Sequence, residues 1–218
     1  KLLLPPSVRL LEVGALDDID EAELAQLTAR AESPDAAYPL ITSMRDGRTV
    51  RVEESDLCRL LNMALRRALS GADAASCRQN EVTGVCCAVL LCAGSFASVR
   101  TWPSSVPLLK PFSIAQTQIA NGICARTLAI LCPRGQERAI AERWACAGFI
   151  ANTLAVPLEE STPCSDADAS RVAAWVREMT CEGDKGGVCV VIDFVGSVWA
   201  EQVSSLAQVC AAPVVDLG

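Results

Sequence analysis

Cys92 closes an apolar run, Val85–Leu91, and is followed by Ala93, Gly94, Ser95 and Phe96. A thiolate serves as base or nucleophile once nearby amides or a helix N-terminus depress its pKa. Gly94, Ser95 and Phe96 supply successive backbone N–H groups, the arrangement of an anion-binding nest, and Ser95 adds a hydroxyl. A base beside a carbon and donors around a carboxylate are what proton removal next to a carboxylate requires. The chain has no His. Ser-His-Asp and Cys-His chemistry is therefore excluded, leaving acid–base work to Cys, Asp, Glu, Lys, Tyr or water.

Further polar groups fall at the ends of other apolar segments. Asp193, Gly196 and Ser197 end the run Val188–Phe194 and are expected to form a facing wall. Thr42, Ser43 and Arg45 end an earlier strand, and Arg45 offers a fork suited to a carboxylate. Gln136 follows Pro133 at the start of a helix. Each has a plainer reading. Cys92 is core filler in a cysteine-rich chain, Asp193 and Gln136 are helix-start residues, and Arg45 is an exposed hairpin residue. Phe194 has no proton to give and is expected to pack.

The 218 residues carry a net charge of −7, 51% hydrophobic and 21% charged residues. An acidic chain without basic clusters argues against nucleic acid. No apolar run reaches membrane-spanning length, and KLLLPP is too short for a signal-peptide core. The chain does not open with Met, from which a trimmed or partial chain is expected. The 12 cysteines lie mostly in apolar runs, which favours reduced thiols in a cytoplasmic compartment over a disulfide scaffold. With no C-x-x-C pair and no His, no zinc site is expected.

The elements that must position these groups alternate. Strands are expected at Val8–Val13, Tyr38–Met44, Thr49–Val52, Val85–Leu91, Arg126–Cys132, Asn152–Val156, Val188–Phe194 and Pro213–Leu217. Helices are expected from Asp20 to Ala31, Ser55 to Leu69, Ser113 to Ile123, Gly135 to Ala147, Ser165 to Thr180 and Val198 to Val209. Asp46-Gly47 signals a hairpin, Gly71 a helix stop, and the segment 71–84 a polar linker or insertion. Val85–Leu91 and Val188–Phe194 read as buried parallel strands. Strands alternating with helices imply an α/β fold with parallel sheets. Cys92 and Asp193 lie about 100 residues apart, roughly a domain's length. That spacing suggests two lobes facing across a cleft, the first over 1–112 with 211–218 returning to it and the second over 113–210.

EVGALDDID at Glu12–Asp20, YPLITSMRDGRTV at Tyr38–Val50 and LLCAGSF at Leu90–Phe96 come first in a set of ordered stretches. LAILCPRGQ with RW, spanning Leu128–Trp144, and VIDFVGS at Val191–Ser197 complete it. Together they resemble the AroM family, which is similar to the aspartate/glutamate/hydantoin racemases. The resemblance implies two Rossmann-like lobes, no cofactor, a catalytic Cys at Cys92, and racemisation, isomerisation or decarboxylation beside a carboxylate. It also implies a second Cys in a D-C-x-G turn, where this chain reads Asp193-Phe194-Val195-Gly196. Relative to the family, a first strand and a final helix are expected to be missing.

Three readings follow. One is a single-Cys, cofactor-independent enzyme acting on a small carboxylate, isomerase-like in mechanism. Another is a non-catalytic carboxylate binder on the same fold. A third, resting on cysteine count, is a redox-sensing thiol protein. The partner is in the first two cases a small carboxylate, with self-association into a homo-oligomer left open.

Overall fold

The computed structural model describes residues 10–36, 38–76, 85–101, 105–156, 166–181, 187–194 and 203–217. Two compact units emerge: residues 1–88 with 96–108, and residues 89–95 with 109–218.

In the first unit, α1 (Glu21–Ala31) starts at Asp20, whose Oδ1 accepts the Glu23 amide at 2.8 Å. Leu24, Leu27 and Ala31 form its buried stripe. β1 (Pro39–Ser43) and β2 (Thr49–Glu53) pair antiparallel, with Ser43 opposite Thr49. The hairpin is the expected one. The Met44 amide donates to the Arg48 carbonyl at 2.8 Å, and Gly47 has φ +84°. α2 (Glu54–Ser76) follows at once and runs past Gly71, where a stop was expected. Ala72, Ala74 and Ala75 are strong helix formers that outweigh one glycine's cost of about 1 kcal/mol. Residues 77–84 of the expected linker lie outside the described residues.

Two expected strands differ. Residues 10–13 carry no regular structure, and Leu10 and Leu11 are exposed. Val85–Leu91 is not a buried central strand. Only β3 (Ala88–Val89) forms, bonded to β4 (Leu108–Leu109) in a two-stranded sheet. Leu90 is buried, while Val89 and Leu91 are 53% and 75% exposed. From Ala88 to Leu91 burial alternates, as a strand with one packed and one solvent-facing side requires, while Cys86 and Cys87 before it are both exposed.

The second unit holds a parallel sheet ordered β6-β5-β7-β8. Its strands are β5 (Thr127–Cys132), β6 (Ile150–Ala155), β7 (Val188–Ile192) and β8 (Val214–Asp216). Every residue of β5 and β7 is buried, as continuous apolar runs require when helices cover both faces. Leu131 lies opposite Ile192, so the two central strands end level. α4 (Glu137–Cys146) packs on β6, and α5 (Asp166–Cys181) packs on β7 and on α6 (Val203–Cys210). Val172, Ala173 and Val176 of α5 enter the core with Ala169 and Met179 beside them, the face that the periodicity predicts. Before β5, α3 (Pro111–Gln118) relaxes into a π-turn over Ile119–Ile123. Residues 211–218 were expected to return to the first lobe. Instead β8 pairs with β7, because a three-residue strand after α6 joins the nearest open edge of its own sheet.

Candidate active site

β7 ends at Ile192, and Asp193 follows, 3% exposed. Burying a carboxylate demands partners. Two come from adjacent residues of α4. Trp144 donates its indole N–H to Asp193 Oδ2 at 2.6 Å, and the Arg143 guanidinium bonds to the same oxygen. The helix start that Asp193 was expected to cap lies outside the described residues, and the Asp193 Oδ2 is held in this buried ion pair. Phe112 and Phe149 pack on the Trp144 ring at centroid distances of 4.6 and 5.6 Å. The Arg143 guanidinium also lies 4.7 Å from the Phe112 ring centre, a cation–π geometry.

Arg143 has a second task. Its other terminal nitrogen donates to the Ala93 carbonyl at 2.7 Å. One planar guanidinium thus spans the residue after Cys92 and the residue after β7. The carboxyl ends of parallel strands are where open α/β sheets take ligands, and the Cys92 turn is fastened there. Cys92 is half-buried, Gly94 buried and Ser95 half-buried.

Cys132 ends β5 in the same unit and is fully buried. Burial first, then the charges of Glu137 and Asp193, push its thiol up to about 12, against a smaller opposing effect of Arg143. It stays protonated and is no base at neutral pH. Gln136 is buried at the start of α4, after the Pro133 turn. Phe194 packs against the core between the sheet and α5, as its side chain predicts. Gly196 and Ser197 lie outside the described residues.

The remaining expected contacts belong to the first unit. Phe96 is buried with φ +43°, a left-handed conformation that is unfavourable for a bulky residue. Its amide donates to Glu54 Oε1 at 2.6 Å, a charge-assisted bond that helps hold the conformation. That N–H was expected to face a ligand and is instead taken by a carboxylate of the chain itself. Thr42 and Ser43 end β1. Arg45 meets Asp17 with Nε to Oδ1 at 2.9 Å, and Glu12 at 3.2 Å. The Arg45 hydrogen bond, with the Gly14 amide, draws the Asp17 pKa below its ordinary value.

Sequence reasoning passed over Arg143. Within an amphipathic helix an arginine reads as solvent-facing, and only its place beside Trp144 in the RW pair marked it. Among the described residues, no group of three or more His, Cys, Asp or Glu side chains converges to hold a metal. No described helix is long and apolar enough to cross a membrane.

The family model described as AroM protein matches residues 1–216. No curated protein matches the chain. A crystal structure of arylmalonate decarboxylase aligns with TM-score 0.49 at 11% identity, covering 87% of this chain and 82% of that one. The unliganded arylmalonate decarboxylase aligns with TM-score 0.45 at 13% identity, covering 87% and 83%.

Proposed function

The chain belongs to the AroM family, and we propose that it is a one-base, cofactor-independent enzyme acting beside the carboxylate of a small molecule through Cys92. The observation that carries this reading is the anchored turn. Arg143 ties the Ala93 carbonyl to Asp193, which anchors the turn that follows Cys92 to the residue after β7. An anchored turn beside the thiol supports the preorganised geometry that proton transfer at carbon needs.

In the forward step the Cys92 thiolate takes the proton on the substrate's α-carbon. The electron pair left on carbon delocalises into the carboxylate, which the Gly94 and Ser95 amides stabilise. The Cys92 S–H exchanges its proton with solvent, and a solvent-derived proton returned from it to the carbon restores the acid. When the carbon instead loses CO2, the S–H protonates the resulting carbanion and the thiolate regains a proton from water. Two-base racemisation needs a second acid on the opposite face. Phe194 provides none, and its ring packs into the core.

Non-catalytic carboxylate binding is the second reading. Its support is the Phe96 amide, already engaged by Glu54, which removes one donor from the expected nest. Solvent-deuterium exchange at the α-carbon of small amino, hydroxy and dicarboxylic acids separates the two. Exchange abolished by Cys92→Ser supports the enzyme. Binding that raises the melting temperature without exchange or CO2 release supports the binder.

A further inference from the structure

We propose that Arg143 is a positioning residue that sets the reactivity of Cys92 through the Ala93 carbonyl. The inference rests on the proposed role of Cys92 and names the group that prepares that thiol.

The geometry has three parts. Arg143 is 8% exposed and Asp193 1% exposed by side chain, so the ion pair is screened little by water. The guanidinium donates to Ala93 at 2.7 Å while bonded to Asp193, and this double reach uses the planar fork of arginine. Trp144 bonds the same Asp193 oxygen at 2.6 Å, and Phe112 covers the guanidinium, so neither partner turns freely. The Cys92–Ser95 turn, half-exposed at Cys92, is thereby held from within by a buried cation. A cation bonded to the neighbouring carbonyl favours the thiolate over the thiol. The same bond orients the amides that follow.

A lysine at this place keeps a charge for Asp193 and lacks the fork that reaches both acceptors at once. The test is alkylation of native Cys92 by iodoacetamide, from about pH 6 to about pH 10, in the full chain and in Arg143→Lys. Cys124, which is exposed and lies outside the cluster, is the internal reference. We expect the midpoint of the Cys92 profile to rise by about one unit in the variant, with about a tenfold slower reaction at neutral pH. Cys124 should not change. A merely structural role would lower the melting temperature and leave the midpoint in place.

The double variant Arg143→Gln/Asp193→Asn removes both buried charges together and provides the second reading if the lysine variant does not fold. A folded variant with an unmoved Cys92 midpoint overturns the proposal. Failure of both variants to fold makes Arg143 a structural residue and overturns it equally. A parent Cys92 no faster than Cys124 sinks the proposed site itself, and this inference with it. A fast parent Cys92 with unmoved variants sinks this inference alone.

Discussion

The indole of Trp144 donates to Asp193 Oδ2 at 2.6 Å, and both side chains are buried. Aromatic core residue and buried carboxylate are thus one construction, in which the helix that covers the sheet also neutralises the end of its central strand. Replacing Trp144 by Phe keeps most of the ring packing and removes the donor. A hydrogen bond to a charged group contributes about 1.5–3 kcal/mol, so Trp144→Phe should lower the stability of the chain by about that amount. Urea midpoints of parent and variant measure it. A loss below about 0.5 kcal/mol would mean that Arg143 alone satisfies the carboxylate.

The hairpin gives a cleaner dihedral test. Gly47 has φ +84°, and a Cβ placed there would meet nothing within 4 Å. Any penalty in Gly47→Val is therefore conformational, on the order of 1–2 kcal/mol. Gly47→Asn, which tolerates the left-handed region, should recover much of it. Equal midpoints for the parent and the Val variant would contradict the turn.

Much of the second unit was legible because its rules are local. Continuous apolar runs predict β5 and β7, and the spacing Ala169, Val172, Ala173, Val176 and Met179 predicts the inner face of α5. Asp193 was legible as the residue that follows a buried strand, and Cys92 as the residue before a Gly-Ser turn. Their link was not. It runs through Arg143, 50 positions from both Ala93 and Asp193, and no periodicity marks an arginine that turns inward to meet a buried acid. Val85–Leu91 misled for another reason. Composition reports that a run is apolar, whereas how many strands pair with it depends on distant parts of the chain; β3 pairs with β4 in a two-stranded sheet, and Val89 and Leu91 stay exposed. Phe96 shows the same limit. Its amide was read as open to a ligand, and Glu54, 42 positions earlier, takes it.

The buried thiols predict an alkaline limb of instability. Burial pushes Cys132 and Cys189 from an ordinary 9.0 up to about 12. A pKa raised in the folded state stabilises fully below the unfolded value, and that stability is lost as pH rises through the window between the two. Between about pH 9 and about pH 12 each unit should remove up to about 1.4 kcal/mol per thiol. Cys189→Val keeps apolar volume and deletes one titration, so its stability should fall less steeply with pH than the parent's. Denaturation midpoints at about pH 8 and about pH 11 compare the slopes. Parallel slopes would show that Cys189 is not buried as a thiol.

The central claim is that Cys92 is prepared for chemistry and is more than a half-buried core thiol. Native-state iodoacetamide rate constants, resolved by peptide mapping over the 12 thiols, test it most directly. If exposure alone governed reactivity, Cys86, Cys87, Cys124 and Cys146, all exposed, would react first and Cys92 would trail them. The account predicts the reverse order at neutral pH, with Cys92 fastest, and predicts that its lead is lost in denaturant, where the turn and its Arg143 anchor no longer exist. A Cys92 that ranks behind the exposed thiols in the native chain would contradict the account.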